Sequence, residues 1–291
     1  MALQLYGDLS SQPCRSVYIF LKKNAIPFEY KEVQLFMGEQ YAAQFQKINP
    51  LGKVPVIKEG DFVLTESVAI LKYLAGKYRT PNHWYPSDLK LRARVDEYLA
   101  WQHTNLRPHA SKVFLLKGLV PVIAGKLESD TGSTAAVNEL SQSLGRFQQK
   151  FLQDKPFIAG AEISLADLVA IVELMQPLGA GYDPLDGNSS LTAWRERVIS
   201  AVGRGLFDEV HEPVLNTQQR LKWIAENPAS SVRSPKNDAP QRGEVKCGPR
   251  TLSALLDPEP AEKALSHTPG DTRGKSDVGA THESGTIPGW K

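Results

Sequence analysis

Sulfur is scarce in this chain: of 291 residues only Cys14 and Cys247 are cysteine, and they stand far apart. Two such thiols support neither a disulfide framework nor a cysteine-based zinc site. Histidine offers no substitute, since His103 and His109 are six residues apart and none of the six histidines pairs at the spacing that puts two ligands on one helical face. Metal catalysis is therefore not expected. The chain also lacks any run of about 18 apolar residues, the length that a spanning helix needs. Its first residues show no basic segment followed by an apolar one, so neither a membrane partner nor a secretory leader is expected. The expected location is the cytoplasm, with the nucleus as a second place, and Asn188-Ser189-Ser190 then has no meaning as a glycosylation acceptor. Nor does one sign of charge dominate. The 34 basic and 32 acidic side chains are intermixed and leave +2, too weak a field to suggest a nucleic-acid partner.

What is present is enough apolar sequence for two modest cores. Residues 1–78 alternate strand-like and helix-like segments: strands at Leu3–Tyr6, Phe28–Val33, Val54–Ile57 and Phe62–Leu64, a helix over Cys14–Asn24, and another from Ser67 to Tyr78 with Val68, Leu71 and Ala75 inward. The order βαβ, then ββα, predicts a thioredoxin-like α/β N-terminal domain. Residues 79–87, with two prolines and an asparagine, read as a linker. Residues 88–226 carry helical periodicity and almost no strand signal, which predicts an all-α helical bundle domain. Within it, Val95, Leu99, Gln102 and Leu106 form one stripe along Leu89–Arg107, and Leu140, Leu144, Phe147 and Phe151 form another. Ser164-Leu165-Ala166-Asp167 fits a capping box flanked by a hydrophobic staple of Ile163 and Leu168. From 227 to 291 the chain is rich in Pro, Ser, Gly and charge, a composition that predicts a disordered tail.

Three places could carry chemistry. Ser10-Ser11-Gln12-Pro13-Cys14-Arg15 lies between the first strand and first helix, where free N–H groups and the helix dipole favour an anion. Ser11 and Cys14 have the spacing of a redox Cys-x-x-Cys, but one sulfur is missing, so an internal disulfide cycle is excluded. A hydroxyl there can donate to a thiolate brought by a ligand, or the serines can simply cap the helix. Val54-Pro55 opens a strand, as a cis-proline that offers backbone groups to an extended peptide or as an ordinary edge proline. Thr65-Glu66-Ser67 opens the next helix, where a carboxylate, a hydroxyl and free N–H groups suit a ligand end bearing both carboxylate and ammonium, although the same residues also make an ordinary helix start.

Taken together, Leu9–Arg15, Asn49–Pro55, Leu64–Leu71, Ala93–His103 and Ile163–Leu168 resemble vertebrate theta-class glutathione transferases, in order from residue 2 to about 215. The resemblance implies that Ser11 hydrogen-bonds the glutathione sulfur, with Lys53, Val54, Glu66 and Ser67 holding the rest of the tripeptide. Gln40 stands where the family often has histidine and can bond the glycyl carboxylate through its amide. Arg107 is implied near the sulfur and the electrophile's leaving group. The implied activity is conjugation of glutathione, a co-substrate with no further cofactor, to small hydrophobic electrophiles such as alkyl or arylalkyl halides and epoxides, with reduction of organic hydroperoxides as a side activity. A homodimer is implied as well. A non-catalytic transferase-like binding or structural module, and a Cys14-dependent reductase, are the competing readings. The family's closing helix over the site finds no counterpart after about Asn216, beyond an expected short helix through Leu221, Trp223 and Ile224.

Overall fold

The structure, a computed structural model, describes residues 2–121, 130–217 and 219. The short helix expected through Leu221, Trp223 and Ile224 and the tail expected over 227–291 lie outside them.

Four short strands, β1 (Gln4–Gly7), β2 (Glu29–Glu32), β3 (Val56–Glu59) and β4 (Phe62–Leu64), form one sheet in the order β2-β1-β3-β4. β1 and β2 run parallel, with Leu5 opposite Tyr30, because helix α1 (Gln12–Lys23) supplies the crossover that a parallel pair needs. β3 runs antiparallel to β1 and to β4, and Gly60, at φ +60°, takes the first loop position of the β3–β4 hairpin. β3 begins at Val56, two residues later than the sequence suggests: Pro55 has no N–H for the ladder, and the Val54–Pro55 peptide is cis. Between β2 and β3 the chain makes two 3-10 turns and a one-turn helix, α2 (Ala43–Gln46).

Leu5 and Ile57 join Val17, Phe20 and Leu21 of α1 and Ile70, Leu71 and Leu74 of α3 (Ser67–Lys77) in one core. Val68, expected inside, is only half-buried, since the inward stripe of α3 is centred on Ile70, Leu71 and Leu74. Every residue of α1 from Cys14 to Leu21 is buried, because its second side packs on α7 (Leu165–Leu174), all ten residues of which are buried in turn. A helix apolar on all sides belongs at the centre of a domain, and α7 is that centre. Residues 79–87 are no loose tether: Trp84 is buried edge-on against Phe20, and its carbonyl accepts the N–H of Leu165 at 2.9 Å.

The single helix expected over Leu89–Arg107 is two helices, α4 (Leu89–Gln102) and α5 (Leu106–Phe114). Pro108 explains the break: it has no N–H for the carbonyl of Thr104 and is tolerated only in a first helical turn, so a new helix starts two residues before it. The stripe itself holds, with Val95, Leu99, Gln102 and Leu106 all buried, and the break sets Arg107 in the first turn of α5. Helix α6 (Asp130–Arg146) runs on into a π-type turn, Phe147–Leu152, which keeps Leu140, Leu144, Phe147 and Phe151 inside. Helices α8 (Ser189–Val202) and α9 (Arg204–Leu215) follow α7.

The capping box at the start of α7 forms as its sequence implies and does more. Asp167 accepts the N–H and the hydroxyl of Ser164, both at 3.0 Å, and also the N–H of Ile158 at 2.8 Å and the indole N–H of Trp194 at 3.0 Å. Burial pushes its pKa up, and these four donors pull it back. No helix among the described residues is long and apolar enough to cross a membrane.

Candidate functional site

The corner after β1 separates two adjacent serines that sequence alone leaves equivalent. The buried Asp8 carboxylate accepts the N–H of Ser10 at 2.8 Å, its hydroxyl at 2.7 Å, and the N–H of Leu35 at 3.0 Å. The Ser10 hydroxyl is thereby consumed inside the fold. Ser11 is the N-cap residue of α1 by backbone geometry, yet its side chain makes no capping bond; half-buried, its hydroxyl lies against the thiol of Cys14. The helix-capping role that sequence left open is therefore not the one its hydroxyl plays.

Cys14 is sealed beneath β1. A Cβ on Gly7 would stand 3.2 Å from its Sγ, so only glycine lets the sulfur sit so close to the strand. Burial pushes this thiol up to about 12, against a smaller downward pull from the Ser11 hydroxyl, and an inaccessible protonated sulfur is no nucleophile. That removes the reading of a Cys14-dependent reductase.

Arg15, fully buried, holds the corner in place. Its Nη1 donates to the carbonyls of Leu9 at 2.9 Å and Ser10 at 3.1 Å, and its Nη2 donates to Val172 O at 3.0 Å and Gln176 Oε1 at 2.6 Å. Gln176 returns a bond from Nε2 to the Ser10 carbonyl at 3.3 Å. The serine corner is thus bolted to α7 and the turn after it. Burial lowers the pKa of Arg15 to about 10, still far above neutrality, so the guanidinium remains charged.

Beside this corner opens a cleft of about 250 Å³, bounded by Pro13 of α1, the loop Asn49–Pro55, Thr65–Ser67 at the start of α3, and His103 and Arg107 at the α4–α5 break. The loop is shaped by the buried Asn49 side chain, which donates to Lys53 O at 2.7 Å and accepts the N–H of Leu51 at 3.1 Å. Glu66 takes φ +64° and ψ +108°, a backbone that costs a non-glycine residue about 1–3 kcal/mol and that clusters at ligand sites. This turn sets Glu66 at the threshold of α3 with Ser67 as the first helical residue, where unpaired N–H groups face outward along the axis. The lining therefore offers two cations, Lys53 and Arg107, one carboxylate, Glu66, and a helix N-terminus. Such a mixture suits an extended ligand bearing charges of both signs.

Five of the seven residues singled out from sequence, Lys53, Val54, Glu66, Ser67 and Arg107, line this one cleft, and Ser11 adjoins it two residues before Pro13. Gln40 does not line it. It is buried behind the loop, its backbone carbonyl accepting from Gln46 Nε2 at 2.9 Å and lying 3.4 Å from where a Cβ on Gly52 would stand. Arg107 is only partly exposed and is held by an ion pair. Its Nε donates to Glu173 Oε1 at 2.7 Å, and the carboxylate that receives it is fully buried. Partial burial, and then the charge of Arg107, hold the neighbouring His103 below its usual pKa.

Arg15, Gln176 and Glu173 were not legible as site residues. Their long-range partners lie 66 to 166 positions away, and the one local signal was Glu173 itself, a charge near the end of the apolar stretch Leu168–Leu174. A carboxylate there must find a partner.

Comparison with known proteins gives a consistent picture. Residues 5–82 match the family described as "Glutathione S-transferase, N-terminal domain", and residues 117–201 match "Glutathione S-transferase, C-terminal domain". The chain is 54% identical over 218 residues to glutathione S-transferase theta-1 of Bos taurus, a match spanning 75% of this chain and 91% of that one. It superposes on apo human glutathione-S-transferase T1-1 with a TM-score of 0.74 at 49% identity, over 80% of this chain and 100% of the other. A human theta-class enzyme in complex with the glutathione conjugate of 1-menaphthyl sulfate gives a TM-score of 0.73 at 42% identity, over 81% and 100% of the two chains.

Proposed function

Because this chain belongs to the theta class of the glutathione S-transferases, we propose that its cleft holds glutathione with the sulfur at Ser11 and directs the thiolate at small hydrophobic electrophiles. In this reading Glu66, Ser67 and the start of α3 receive the γ-glutamyl end. Val54 pairs with the cysteinyl backbone, and Lys53, with Gln40 behind it, receives the glycyl carboxylate. The Ser11 hydroxyl donates to the sulfur. A free thiol with a pKa near 8.5 is only ~3% ionised at pH 7, and a hydrogen bond to the charged form raises that fraction. Arg107, a permanent cation, meets the charge that develops on the leaving group. The observation that carries this reading is the division of labour between the two serines: Asp8 occupies Ser10, and Ser11 stands beside a cleft lined with both signs of charge.

We assign alkyl and arylalkyl halides and epoxides as substrates, with organic hydroperoxides reduced as a side activity. The conjugate of an arylalkyl sulfate held by a human relative supports the arylalkyl class. We further place the division between the glutathione-binding and helical domains at residues 79–87, and assign the protein to the cytoplasm as a homodimer. Retention on immobilised glutathione, followed by conjugation assays over a panel of small halides and epoxides, tests the function; a chain that passes through the column and conjugates nothing is instead a transferase-like module without catalysis.

Glu66→Ala is expected to raise the KM for glutathione about tenfold and leave kcat at saturation within about twofold, because its contact is equally present in ground and transition states. The positive φ at this position is borne by any L-residue, so alanine adds no new backbone strain. Initial-rate kinetics over a range of glutathione concentrations decide the matter, and an unchanged KM removes Glu66 from the site.

A further inference from the structure

We propose that Glu173 is a positioning residue for the conjugation reaction: it fixes the guanidinium of Arg107 at the cleft, from the turn of α7 whose Val172 carbonyl holds Arg15 of the serine corner. The proposal rests on the reading above, in which Arg107 meets the leaving group.

Two carboxylates lie inside α7, and they differ in kind. Asp167 receives four hydrogen bonds and is fully accounted for by the start of its helix. Glu173 receives one, from Arg107 Nε, and its second oxygen is buried without a hydrogen-bond partner. Burial raises its pKa, opposed first by Arg107 and then by Arg15. As a stability device this is poor, since an ion pair buried in this way is commonly replaced by apolar residues without loss. What it does supply is geometry. A guanidinium is a planar fork, and gripping it by its Nε edge fixes the plane in which the remaining N–H groups lie.

The same carboxylate acts electrostatically on Arg15, whose Nη1 holds the carbonyls of Leu9 and Ser10 immediately before Ser11. Arg15 Nη2 in turn donates to the carbonyl of Val172, the residue before Glu173, at 3.0 Å, so one turn of α7 holds both the arginine that carries the serine corner and the arginine that lines the cleft. Two groups that must act on opposite ends of the breaking and forming bonds are thus held from one turn of a buried helix, the condition under which preorganised charges act without reorganising. Tyr98 also neighbours this carboxylate; burial, followed by the charge of Glu173, keeps its phenol neutral.

The test pairs kinetics with a spectroscopic readout on the full chain. Glu173→Gln keeps the shape and an acceptor oxygen but removes the charge. It is expected to lower kcat/KM for a small halide by about tenfold while the KM for glutathione stays within about twofold, and to add nothing to the loss caused by Arg107→Ala. Additive losses, or full activity in either single variant, overturn the proposal. In ¹⁵N-arginine-labelled wild-type protein, the Nε–H resonance of Arg107, identified by its absence in Arg107→Lys, is expected to exchange slowly with solvent. Fast exchange there overturns the proposal even if Glu173→Gln fails to fold. If the wild-type chain conjugates nothing, the functional reading falls, and the Nε–H exchange still decides whether Glu173 holds Arg107.

Discussion

Ser11→Ala is expected to lower kcat/KM for conjugation by about 10- to 100-fold, the loss of one hydrogen bond to a charged group worth about 1.5–3 kcal/mol. Half-buried and making no capping bond, Ser11 leaves no hole in the core when truncated, so stability should move by no more than about 0.5 kcal/mol. A second signature separates loss of thiolate stabilisation from a general disturbance: the pH–rate profile should move upward toward the pKa of a free thiol, about 8.5, with part of the activity regained at alkaline pH. Ser10→Ala is the control. It deletes a buried bond to Asp8 and should cost about 1 kcal/mol of stability without moving the profile. Full activity in Ser11→Ala, or a shifted profile in Ser10→Ala instead, would assign the sulfur to the wrong serine.

The largest effect on stability is expected from Asp167→Ala, at about 3–5 kcal/mol, because removing one member of a fully buried charged network leaves its donors unpaired. The donors belong to three segments, at Ile158, Ser164 and Trp194, so the loss strikes the start of α7 and its packing against α8 together. In a chain of this size the thermal midpoint should fall by roughly 10 °C. Ser164→Ala, which removes only a cap hydroxyl, should cost about 1 kcal/mol. Calorimetric melts of the two variants discriminate: similar small shifts in both would mean that Asp167 is a local cap and not a junction.

Much of the fold was legible because its signals are local. The succession of strands and helices along the first domain, the end of α1 at Asn24, the β3–β4 turn and the box at Ser164 each follow from residues within a few positions of one another, and all four appear in the structure. Errors arose where a nearby residue exerted a veto that periodicity does not see, as Pro108 did by dividing α4 from α5. The inward stripe of α3 was offset for a different reason: Val68 has the right chemistry, but packing chose Ile70 and Leu74. Of the candidate site, most residues that line the cleft were legible through their motifs, whereas those that hold the corner and the arginine beside it, Arg15, Gln176 and Glu173, were not. Their roles exist only once distant segments meet: Arg15 reaches Leu9 and Ser10 locally, but no short window of sequence contains its bonds to Val172 and Gln176 or the bond of Arg107 to Glu173.

The clamp made by Arg15 also bears on how the protein is made. Two of its four hydrogen bonds reach Val172 and Gln176, 157 and 161 residues further along the chain. Synthesis proceeds from the N-terminus, and domains tend to fold as they emerge. The sheet of the first 78 residues can be complete while the carbonyls of Leu9 and Ser10 still lack the arginine geometry that α7 enforces. A ribosome-bound chain halted before residue 172 would carry Ser11, Lys53, Val54, Glu66 and Ser67, the groups proposed to hold the tripeptide, within its first 67 residues, yet a serine corner without its anchor on α7. Catalytic competence thus arrives late, as a by-product of the second half docking on the first, and marks the completed molecule.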